Sequence, residues 1–317
     1  MMKAPSFKIL LRAFGHLHFV KTPLRERIIS KFHDPSLADD ETFSVRFNGF
    51  VYNGHFDSYL DWAVYYFGFY AREEMRLFRD VLETMKGAVM LDVGGNCGHH
   101  ALFCSKYADK VYTFEPLHKF SRQIEEKVSV NRIKNIIIQK YGLGEQDAEV
   151  LFYPPHDNHA GLGSFVVKTD ASPVFLPVRK GDEFVRCENI PNVGLIKIDV
   201  EGFEVPVLKG LKQTILTHRP VIFVEWTQAS RTLLGDMSWA ELVPSNYVFC
   251  AFIDNSYVSR WKAFRASRYS LINVDPDMLP TGVNLLLMPA EFVEQCKASG
   301  AEIIQRMKPS SAASSER

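Results

Sequence analysis

The length, composition and charge of the chain describe a folded globular protein. It has 317 residues, of which 46% are hydrophobic, and it carries 37 Lys and Arg residues against 37 Asp and Glu residues. This length allows one large domain or two small ones with a sizeable core, and the composition excludes disorder over the bulk of the chain. A net charge of zero argues against a protein that binds nucleic acid or anionic membranes through a general excess of positive charge.

The cysteines and the apolar runs bear on the compartment. The five cysteines are widely spaced and form no C-x-x-C pair, which predicts neither a disulfide framework nor a cysteine zinc site and favours a reducing compartment. The apolar stretch near the basic N-terminus is interrupted by Arg12, His16 and His18, and the sequence contains no run of about 18 apolar residues. We therefore expect a cytoplasmic protein without a transmembrane segment.

Residues 1–85 are predicted to form an N-terminal extension that is helical and rich in aromatic side chains. Residues 73–82 have the spacing of an amphipathic helix. Aromatic residues crowd between positions 50 and 70, and such a group more often packs in a core than lines a substrate site. A main domain over residues 86–300 and a tail over residues 301–317, disordered from about residue 309, complete the predicted organisation.

From residue 88 onwards, short apolar runs alternate with helical stretches, which is typical of parallel βαβ units. The runs are AVMLDVGG (88–95), KVYTFEP (110–116), NIIIQKYG (135–142), LIKIDVEG (195–202) and VIFVEW (221–226). Between the third and fourth runs, an alternating pattern predicts an antiparallel β insertion. Its segments are EVLFYPP (149–155), SFVVKT (164–169) and VFLPVRKGD (174–182). NYVFCAF (246–252) and GVNLLLMP (282–289) are predicted as two more strands at a sheet edge.

The segment LDVGGNCGHH (91–100) follows a predicted strand and precedes a predicted helix, as in a nucleotide site. The dinucleotide pattern G-x-G-x-x-G fails because positions 96 and 99 are Asn96 and His99, and the Walker pattern fails because no G-K-[ST] follows. The pattern that fits, Asp92-x-Gly94-x-x-x-Gly98, resembles that of S-adenosylmethionine-dependent methyltransferases. Glycines allow the backbone to approach a ligand closely, although a tight structural turn is an alternative explanation.

Further candidates lie at the ends of the next two predicted strands. Glu115 follows the second strand, 21 positions after Gly94, where a carboxylate can accept hydrogen bonds from ribose hydroxyl groups. Gly142 and Leu143 follow the third strand, where small or apolar residues can pack against adenine, although a structural turn explains the glycines equally well.

Acidic residues end the two later strands. Asp199 and Glu201 follow LIKI, and Glu225 follows VIFV, so Asp199 and Glu225 are expected to face the same crevice as Asp92 and Glu115. Such carboxylates can deprotonate a hydroxyl group or, as an Asp199 and Glu225 pair, bind Mg²⁺. Glu201 and Glu204 can instead favour the start of a helix over about 203–217.

Histidines and the remaining motifs give weaker signals. His156 and His159 in HDNHAGLGSF can form a base or metal pair, but a solvated loop is favoured. No G-x-S-x-G, H-E-x-x-H or N-P-P-Y stretch occurs, which argues against serine hydrolases, zincins and the common amino-methylating base enzymes.

Taken together, these segments resemble the FkbM family of methyltransferases. The matching stretches are LDVGGNCGHHA (91–101), YTFEPL (112–117), NHAGLGSF (158–165), VRKGDEF (178–184), LIKIDVEGFEVPVLKG (195–210) and RPVIFVEW (219–226). The resemblance covers roughly residues 43–290 and departs from the usual small or aliphatic loop positions at Cys97, His99 and His100.

The resemblance implies a fold, a donor and a reaction. The implied fold is the α/β Rossmann-like class I methyltransferase fold, a mostly parallel seven-stranded sheet flanked by helices, here with a β insertion and the N-terminal extension. The implied donor is S-adenosylmethionine, and the usual reaction is O-methylation of a sugar, glycan or other natural product. The predicted cofactor-binding residues are Asp92, Gly94, Gly95, Asn96, Gly98, Glu115, Pro116, Gly142 and Leu143. The predicted catalytic residues are Asp199, Glu201 and Glu225.

The function hypothesis is therefore an S-adenosylmethionine-dependent O-methyltransferase that acts on a hydroxylated small molecule or saccharide. Two alternatives remain. One is an N-methyltransferase acting on protein or nucleic acid, for which zero net charge makes nucleic acid unfavourable. The other is a binding module that retains the fold without chemistry.

Overall fold

The computed structural model describes residues 5–17, 20–38, 41–154, 172–255 and 269–308. His156, His159, the loop that holds them, the predicted strand over 164–169 and all residues after 308 lie outside this described part.

Helices occur along the whole described chain. The fourth, Arg72–Thr84, confirms the predicted amphipathic helix, because Met75, Phe78 and Leu82 recur at helical spacing and are buried. The helices are α1 (Pro5–Gly15), α2 (Thr22–Phe32), α3 (Tyr59–Phe67), α4 (Arg72–Thr84), α5 (His99–Cys104), α6 (His118–Val130), α7 (Gly181–Cys187), α8 (Glu204–Gly210), α9 (Lys212–His218), α10 (Gln228–Leu234), α11 (Ala290–Ser299) and α12 (Glu302–Arg306). None of these helices is long and apolar enough to cross a membrane, as judged over the described ranges.

The N-terminal part combines helices with a β-hairpin. Strands β1 (Thr42–Phe47) and β2 (Phe50–His55) pair antiparallel through a turn in which Asn48 and Gly49 both adopt positive φ, at 47° and 87°. Phe56, Trp62 and Tyr66 are buried against α1 and α2, so most of the aromatic crowd is core, as expected.

A nine-stranded mixed sheet forms the centre of the molecule. In spatial order it consists of β5 (Ile136–Gln139), β4 (Val111–Phe114), β3 (Val89–Val93), β9 (Val193–Ile198), β10 (Val221–Trp226), β13 (Val283–Pro289), β11 (Tyr247–Asp254), β12 (Tyr269–Asn273) and β14 (Met307–Lys308). The five strands predicted from the apolar runs, β3, β4, β5, β9 and β10, are parallel neighbours.

The sheet is buried on both faces, because successive side chains of each strand point into different cores. In β3, Met90 packs in a cluster with residues of α4, α5, α11 and α12. Its neighbours Leu91 and Val93 pack in a second cluster with residues of α7, α8 and α9. The predicted α/β architecture of a sheet flanked by helices is thus confirmed, and burial on both faces explains why the parallel strands are mostly apolar.

The two late strands differ from the prediction. β13 was expected at a sheet edge, but it lies between β10 and β11 and is antiparallel to both. β12 and β14 continue the sheet beyond β11, so among the described residues it has nine strands rather than seven, and it is mixed although most neighbouring strands are parallel, as predicted. Residues 302–308, expected in the tail, form α12 and β14, because Ile303 packs in the core and Met307 and Lys308 pair with β12.

The insertion forms a separate three-stranded sheet in the order β6 (Gly142–Gly144), β8 (Val174–Lys180) and β7 (Ala148–Phe152). β7 and β8 are antiparallel, as predicted, whereas β6 is parallel to β8. This small sheet packs closely against α8. A Cβ atom added at Gly210, in α8, would lie 1.8 Å from the carbonyl oxygen of Gly144, in β6. The predicted helix over 203–217 is accordingly two helices that meet at Leu211.

The order of the parallel strands creates a crevice. After β3 the chain adds β4 and β5 on one side, and it later adds β9 and β10 on the other. In open α/β sheets ligands bind beyond the carboxyl ends of the strands at such a reversal. The ends of β3, β4, β9 and β10 are therefore where a functional site is expected.

Candidate active site

The glycine loop after β3 is shaped by two close backbone approaches. Gly94 adopts φ 87°, and a Cβ atom there would lie 1.9 Å from the carbonyl oxygen of Asp199. A Cβ atom at Gly95 would lie 2.1 Å from Thr113 Oγ1. Only glycine leaves room at these positions, so the loop runs tightly over the ends of β4 and β9.

Gly98 has a different role from Gly94. It adopts φ 83° at the start of α5, and a Cβ atom there would lie 2.9 Å from Ile124 Cγ1. Gly98 therefore allows α6 to pack against the loop, and it does not line the cavity described below.

Glu115, at the end of β4, fixes the same loop from the side. Its Oε2 accepts a hydrogen bond from the Asn96 N–H at 2.8 Å, and its Oε1 accepts one from the Leu117 N–H at 2.9 Å. Burial raises the pKa of Glu115 to about 7, although these two N–H groups act in the opposite direction. A carboxylate can accept about four hydrogen bonds, so two acceptor positions remain for a ligand.

A cavity of about 690 Å³ lies over these strand ends, within the range of small-molecule sites, roughly 300–1,000 Å³. One part of its wall, here called the loop end, is formed by the following residues: Gly94, Gly95, Asn96, Glu115, Pro116, Leu117, Gly142 and Leu143. The other part, here called the acidic end, is formed by the following residues: Glu74, His99, His100, Lys197, Asp199, Glu201, Glu225 and Asn284. Beside the loop end, the insertion sheet adds apolar wall through Phe152, Leu176 and Val178.

Asp92 lies beneath this cavity rather than in its wall, contrary to the expectation that its carboxylate faces the crevice. It is fully buried, and it accepts a hydrogen bond from Thr113 Oγ1 at 3.0 Å. The ammonium of Lys197 lies 3.6 Å from its other oxygen. Because Gly94 turns the chain over the end of β3, the side chain of Asp92 points under the loop.

Lys197, which the sequence analysis did not single out, connects the two ends of the cavity. Its Nζ donates to the Gly94 carbonyl oxygen at 2.9 Å and lies 3.3 Å from Asp199 Oδ2. Burial by itself lowers the pKa of Lys197, but Asp199 and Asp92 outweigh burial, and the pKa lies above its ordinary value. Lys197 is therefore a buried, charged ammonium.

The three predicted catalytic acids, Asp199, Glu201 and Glu225, all line the acidic end of the cavity. Burial, and then the neighbouring Asp199, raise the pKa of Glu225 to about 8 and that of Glu201 to about 9. Glu225 also shares a hydrogen bond with Asp199. Glu201 adopts φ 54°, an uncommon conformation for a residue other than glycine.

Glu204 holds the loop that carries Asp199 and Glu201 from outside the cavity. Its Oε1 accepts hydrogen bonds from the Val200 N–H at 3.2 Å and the Gly202 N–H at 3.1 Å, and Ser230 Oγ donates to its Oε2. Glu204 is fully buried at the start of α8. The prediction that it favours a helix start agrees with this position, but its carboxylate stabilises the preceding loop.

Two more cavity residues come from distant parts of the chain. Asn284 Nδ2, in β13, donates to Glu74 Oε1, in α4, at 2.9 Å. Burial, and then Asp199, raise the pKa of Glu74 to about 8. Glu74, Glu225 and Asn284 also line a neighbouring recess of about 410 Å³, beside the end of β11 and the start of β13. No local pattern in the sequence marks Glu74 or Asn284, because their meeting depends on where α4 and β13 pack.

His99 and His100 are buried in the cavity wall, 2% and 4% exposed, at the start of α5. Their rings are 3.9 Å apart between centroids, and His100 Nε2 lies 3.7 Å from Glu74 Oε2. Burial, together with Lys197, holds the pKa of both histidines well below the ordinary value. Both are neutral imidazoles. They form the part of the cavity wall that lies where the glycine loop meets α5.

A magnesium ion does not fit this donor set. No group of three or more potential metal ligands occurs among the residues that the structure describes. Of the predicted pair, Asp199 is already paired with the ammonium of Lys197, whose positive charge disfavours a second cation. The sequence hypothesis of a metal held by Asp199 and Glu225 is therefore not carried further.

Comparison with known proteins shows what the central part of the chain is similar to. Residues 92–241 match the family model described as the methyltransferase FkbM domain. The hexuronic acid methyltransferase AglP of Haloferax volcanii is 33% identical over 152 residues, which cover 48% of this chain and 62% of that protein. Methyltransferase 1 of Beauveria bassiana is 25% identical over 153 residues, which cover 42% of this chain and 61% of that protein. The chain thus spans about three fifths of the length of these curated relatives.

A solved structure completes the comparison. The crystal structure of methyltransferase FkbM from Methylobacillus flagellatus aligns at 18% identity and a TM-score of 0.39, covering 63% of this chain and 43% of that one. The family model over residues 92–241 and the sequence similarity to AglP thus show that the central part of this chain is similar to FkbM methyltransferases.

Proposed function

We propose that the protein is an S-adenosylmethionine-dependent O-methyltransferase that acts on a hydroxyl group of a sugar, a glycan or another small natural product. The observation that carries this proposal is a single cavity in which a glycine loop with Glu115 lies next to a cluster of carboxyl groups around Lys197.

The loop end fits the donor. Gly94 and Gly95 expose backbone without side chains, and Glu115 retains acceptor positions for the two ribose hydroxyl groups. Pro116 and Leu143 offer apolar surface for adenine. When bound, the donor supplies a methyl group on a positively charged sulfur atom.

At the acidic end, Glu225 acts as the general base. Methylation of the acceptor oxygen would release the hydroxyl proton, and Glu225 would accept it. A base whose pKa lies near the working pH is well matched to this transfer, and Glu225 has a pKa of about 8. Asp199, fixed by Lys197, orients Glu225.

Two observations support a sugar as the acceptor. The haloarchaeal relative is named as a hexuronic acid methyltransferase. The cavity wall also includes Tyr59 and Tyr70, and aromatic rings pack well against the apolar faces of sugars. The recess bounded by Glu74, Glu225 and Asn284 leaves space for the rest of a longer glycan.

We also infer a cytoplasmic location, supported by Cys97, Cys104, Cys187, Cys250 and Cys296, all of which are free thiols.

Titration calorimetry tests the donor first. We expect saturable binding of S-adenosylhomocysteine and no binding of NAD, and a donor carrying a labelled methyl group then reports transfer to sugar acceptors. Binding without transfer to any acceptor would favour a binding module, and transfer to peptides alone would favour the N-methyltransferase alternative. No binding by a folded protein would contradict the donor assignment.

A further inference from the structure

Helix α1 exposes apolar side chains and turns its charged side chains towards the protein. Ile9 and Leu10 are 62% and 65% exposed. Lys8, by contrast, is buried, and Arg12 is half-buried, with its guanidinium 5.1 Å from the centroid of the Tyr65 ring. A surface helix ordinarily has the reverse arrangement, with apolar residues against the core and charged residues in water. The outer face of α1 is therefore suited to contact with an apolar surface.

An aromatic contact joins this outer face to helix α2. Phe32, in α2, is 60% exposed, and its ring packs edge-on against that of Phe7, in α1, with 5.7 Å between the centroids. Phe7 lies three positions before Leu10, and residues at this spacing are neighbours on a helix surface. The exposed apolar surface of α1 therefore continues onto α2.

Helix α2 adds positive charge to the same surface. Leu24, Arg27 and Lys31 follow one another at spacings of three and four positions, so they share one face of α2, and all three are exposed. Soluble proteins usually expose large apolar residues singly, and an apolar group bordered by charges marks an interaction surface. The surface, here called the N-terminal face, consists of Ile9, Leu10, Leu24, Arg27, Lys31 and Phe32.

The two helices supply no acidic side chain to balance this charge. Helix α1 contains no Asp or Glu, and the single acidic residue of α2, Glu26, accepts a hydrogen bond from the Tyr59 hydroxyl group. Glu26 is two positions from Leu24, so it lies on another side of the helix. In a chain whose formal net charge is zero, the N-terminal face is thus both apolar and positively charged.

We propose that the N-terminal face docks on an anionic lipid bilayer, with its apolar side chains inserted among the head groups and Arg27 and Lys31 against the lipid phosphates. Helices that present apolar and basic residues bind in the plane of the membrane interface, and each basic residue near an anionic surface strengthens the binding. A symmetric dimer through the same face is disfavoured, because it would bring the positive charges of the two copies together. This inference goes beyond the proposed function and does not depend on it.

Co-sedimentation of the full chain with lipid vesicles tests the proposal. One set of vesicles contains phosphatidylcholine alone, and the other contains equal parts of phosphatidylcholine and phosphatidylglycerol. We expect roughly tenfold tighter binding or more to the anionic vesicles, and added salt should weaken it by screening the charges. Equal binding to both sets, or no binding of the folded protein to the anionic set, overturns the proposal.

Two paired substitutions separate the apolar contribution from the charged one. Ile9→Ser with Leu10→Ser removes apolar side chains, and Arg27→Gln with Lys31→Gln removes positive charges. We expect each pair to weaken binding to the anionic vesicles roughly tenfold or more. Because all four side chains are exposed, the denaturant midpoint of unfolding should remain nearly unchanged in both variants.

Matched controls lie on other exposed surfaces. Leu216→Ser, in α9, replaces a leucine that is 55% exposed, and Lys297→Gln, in α11, removes an exposed positive charge. Neither should alter vesicle binding. Unchanged binding in both folded paired variants, or an equal loss in the controls, overturns the assignment of this face.

Light scattering of the chain in solution measures the competing partner, a second copy. We expect a monomer, or an oligomer that the paired substitution Ile9→Ser with Leu10→Ser leaves intact. A dimer that this substitution converts to monomers would show that a second copy covers the N-terminal face, and it would overturn the proposal.

Discussion

The loop end and the acidic end of the cavity are built in different ways. The loop end consists mainly of backbone from two short segments, 94–96 and 115–117, held together by hydrogen bonds from N–H groups to Glu115. The acidic end consists of side chains from α4, α5, β10 and β13, from β9 and from the loop that follows β9, and its charges balance around one lysine. Backbone geometry therefore governs the first region, whereas electrostatics governs the second.

Removal of the proposed base should give the largest effect. It should also distinguish the roles of the two ends most clearly, because it affects the rate and leaves donor binding unchanged. We expect Glu225→Gln to lower kcat by about 10²–10⁴-fold, because the amide cannot accept the hydroxyl proton. Affinity for S-adenosylhomocysteine, measured by calorimetry, should change little, since the loop end is untouched. Glu294→Gln, at an exposed position of α11, is the matched control. A kcat within threefold of the unsubstituted protein would remove Glu225 from the mechanism.

The lysine that joins the two ends should matter most for stability. Lys197→Met leaves Asp92 as a fully buried carboxylate without its cation, and loss of one partner of a buried ion pair costs about 3–5 kcal/mol. Denaturant unfolding should report this decrease, and Lys297→Met on the exposed face of α11 should not.

A double substitution sharpens that prediction. Adding Asp92→Asn to Lys197→Met removes the unpaired charge, so we expect the double variant to be more stable than Lys197→Met alone. If the second change only destabilises further, the pair does not have the electrostatic role described here.

A substitution at the loop end should have a smaller effect, on the donor. Glu115→Ala removes a buried acceptor of charge-assisted hydrogen bonds, each worth about 1.5–3 kcal/mol, which corresponds to roughly 10–150-fold in affinity for S-adenosylhomocysteine. Calorimetry measures this loss, with Glu294→Ala as the control. Unaltered affinity would show that the loop end does not bind the ribose.

The smallest predicted effect is the pH dependence of the rate. Because Glu225 has a pKa of about 8, roughly one tenth of it is ionised at pH 7, and kcat/KM should rise about tenfold towards pH 9. Glu225→Gln should abolish this rise. A rate that falls between pH 7 and 9 would indicate an acid rather than a base.

The free energy of unfolding should decrease as pH rises, whereas the rate should increase. Glu74, Glu201 and Glu225 keep their protons in the folded protein up to about pH 8–9, whereas in the unfolded chain they lose them near pH 4.5. The folded state binds more protons across this window, so the free energy of unfolding should decrease as pH rises from about 5 to 9. Denaturant unfolding at several pH values measures this trend.

Local patterns predicted the parts of the molecule that local interactions build. The runs that became β3, β4, β9 and β10 were recognisable because strands buried on both faces are mostly apolar. Gly94 and Glu115 were recognisable because a strand end with a tight turn restricts which residues can follow. The prediction that β13 lies at a sheet edge was wrong. No local pattern in the sequence indicates that this strand lies between β10 and β11 and is antiparallel to both.

The acidic end was predictable only in part. Asp199 and Glu201 follow β9 and Glu225 lies near the end of β10, and their positions at strand ends predicted that they reach the cavity. Lys197 looked like an ordinary polar position in a strand, although it is 2% exposed and pairs with Asp92. Glu74 and Asn284 are 210 positions apart and meet only through packing, which no spacing rule describes.

The hydrogen bonds by which Glu204 holds the loop after β9 have a consequence for how the protein can change. The backbone at Val200 and Gly202 is held by a carboxylate that lies behind the loop and does not face the cavity. Exchanges of cavity side chains such as His99 or Asn284 therefore leave that support in place. Natural variation or laboratory evolution can in this way replace one acceptor with another while the loop that carries Asp199 keeps its conformation.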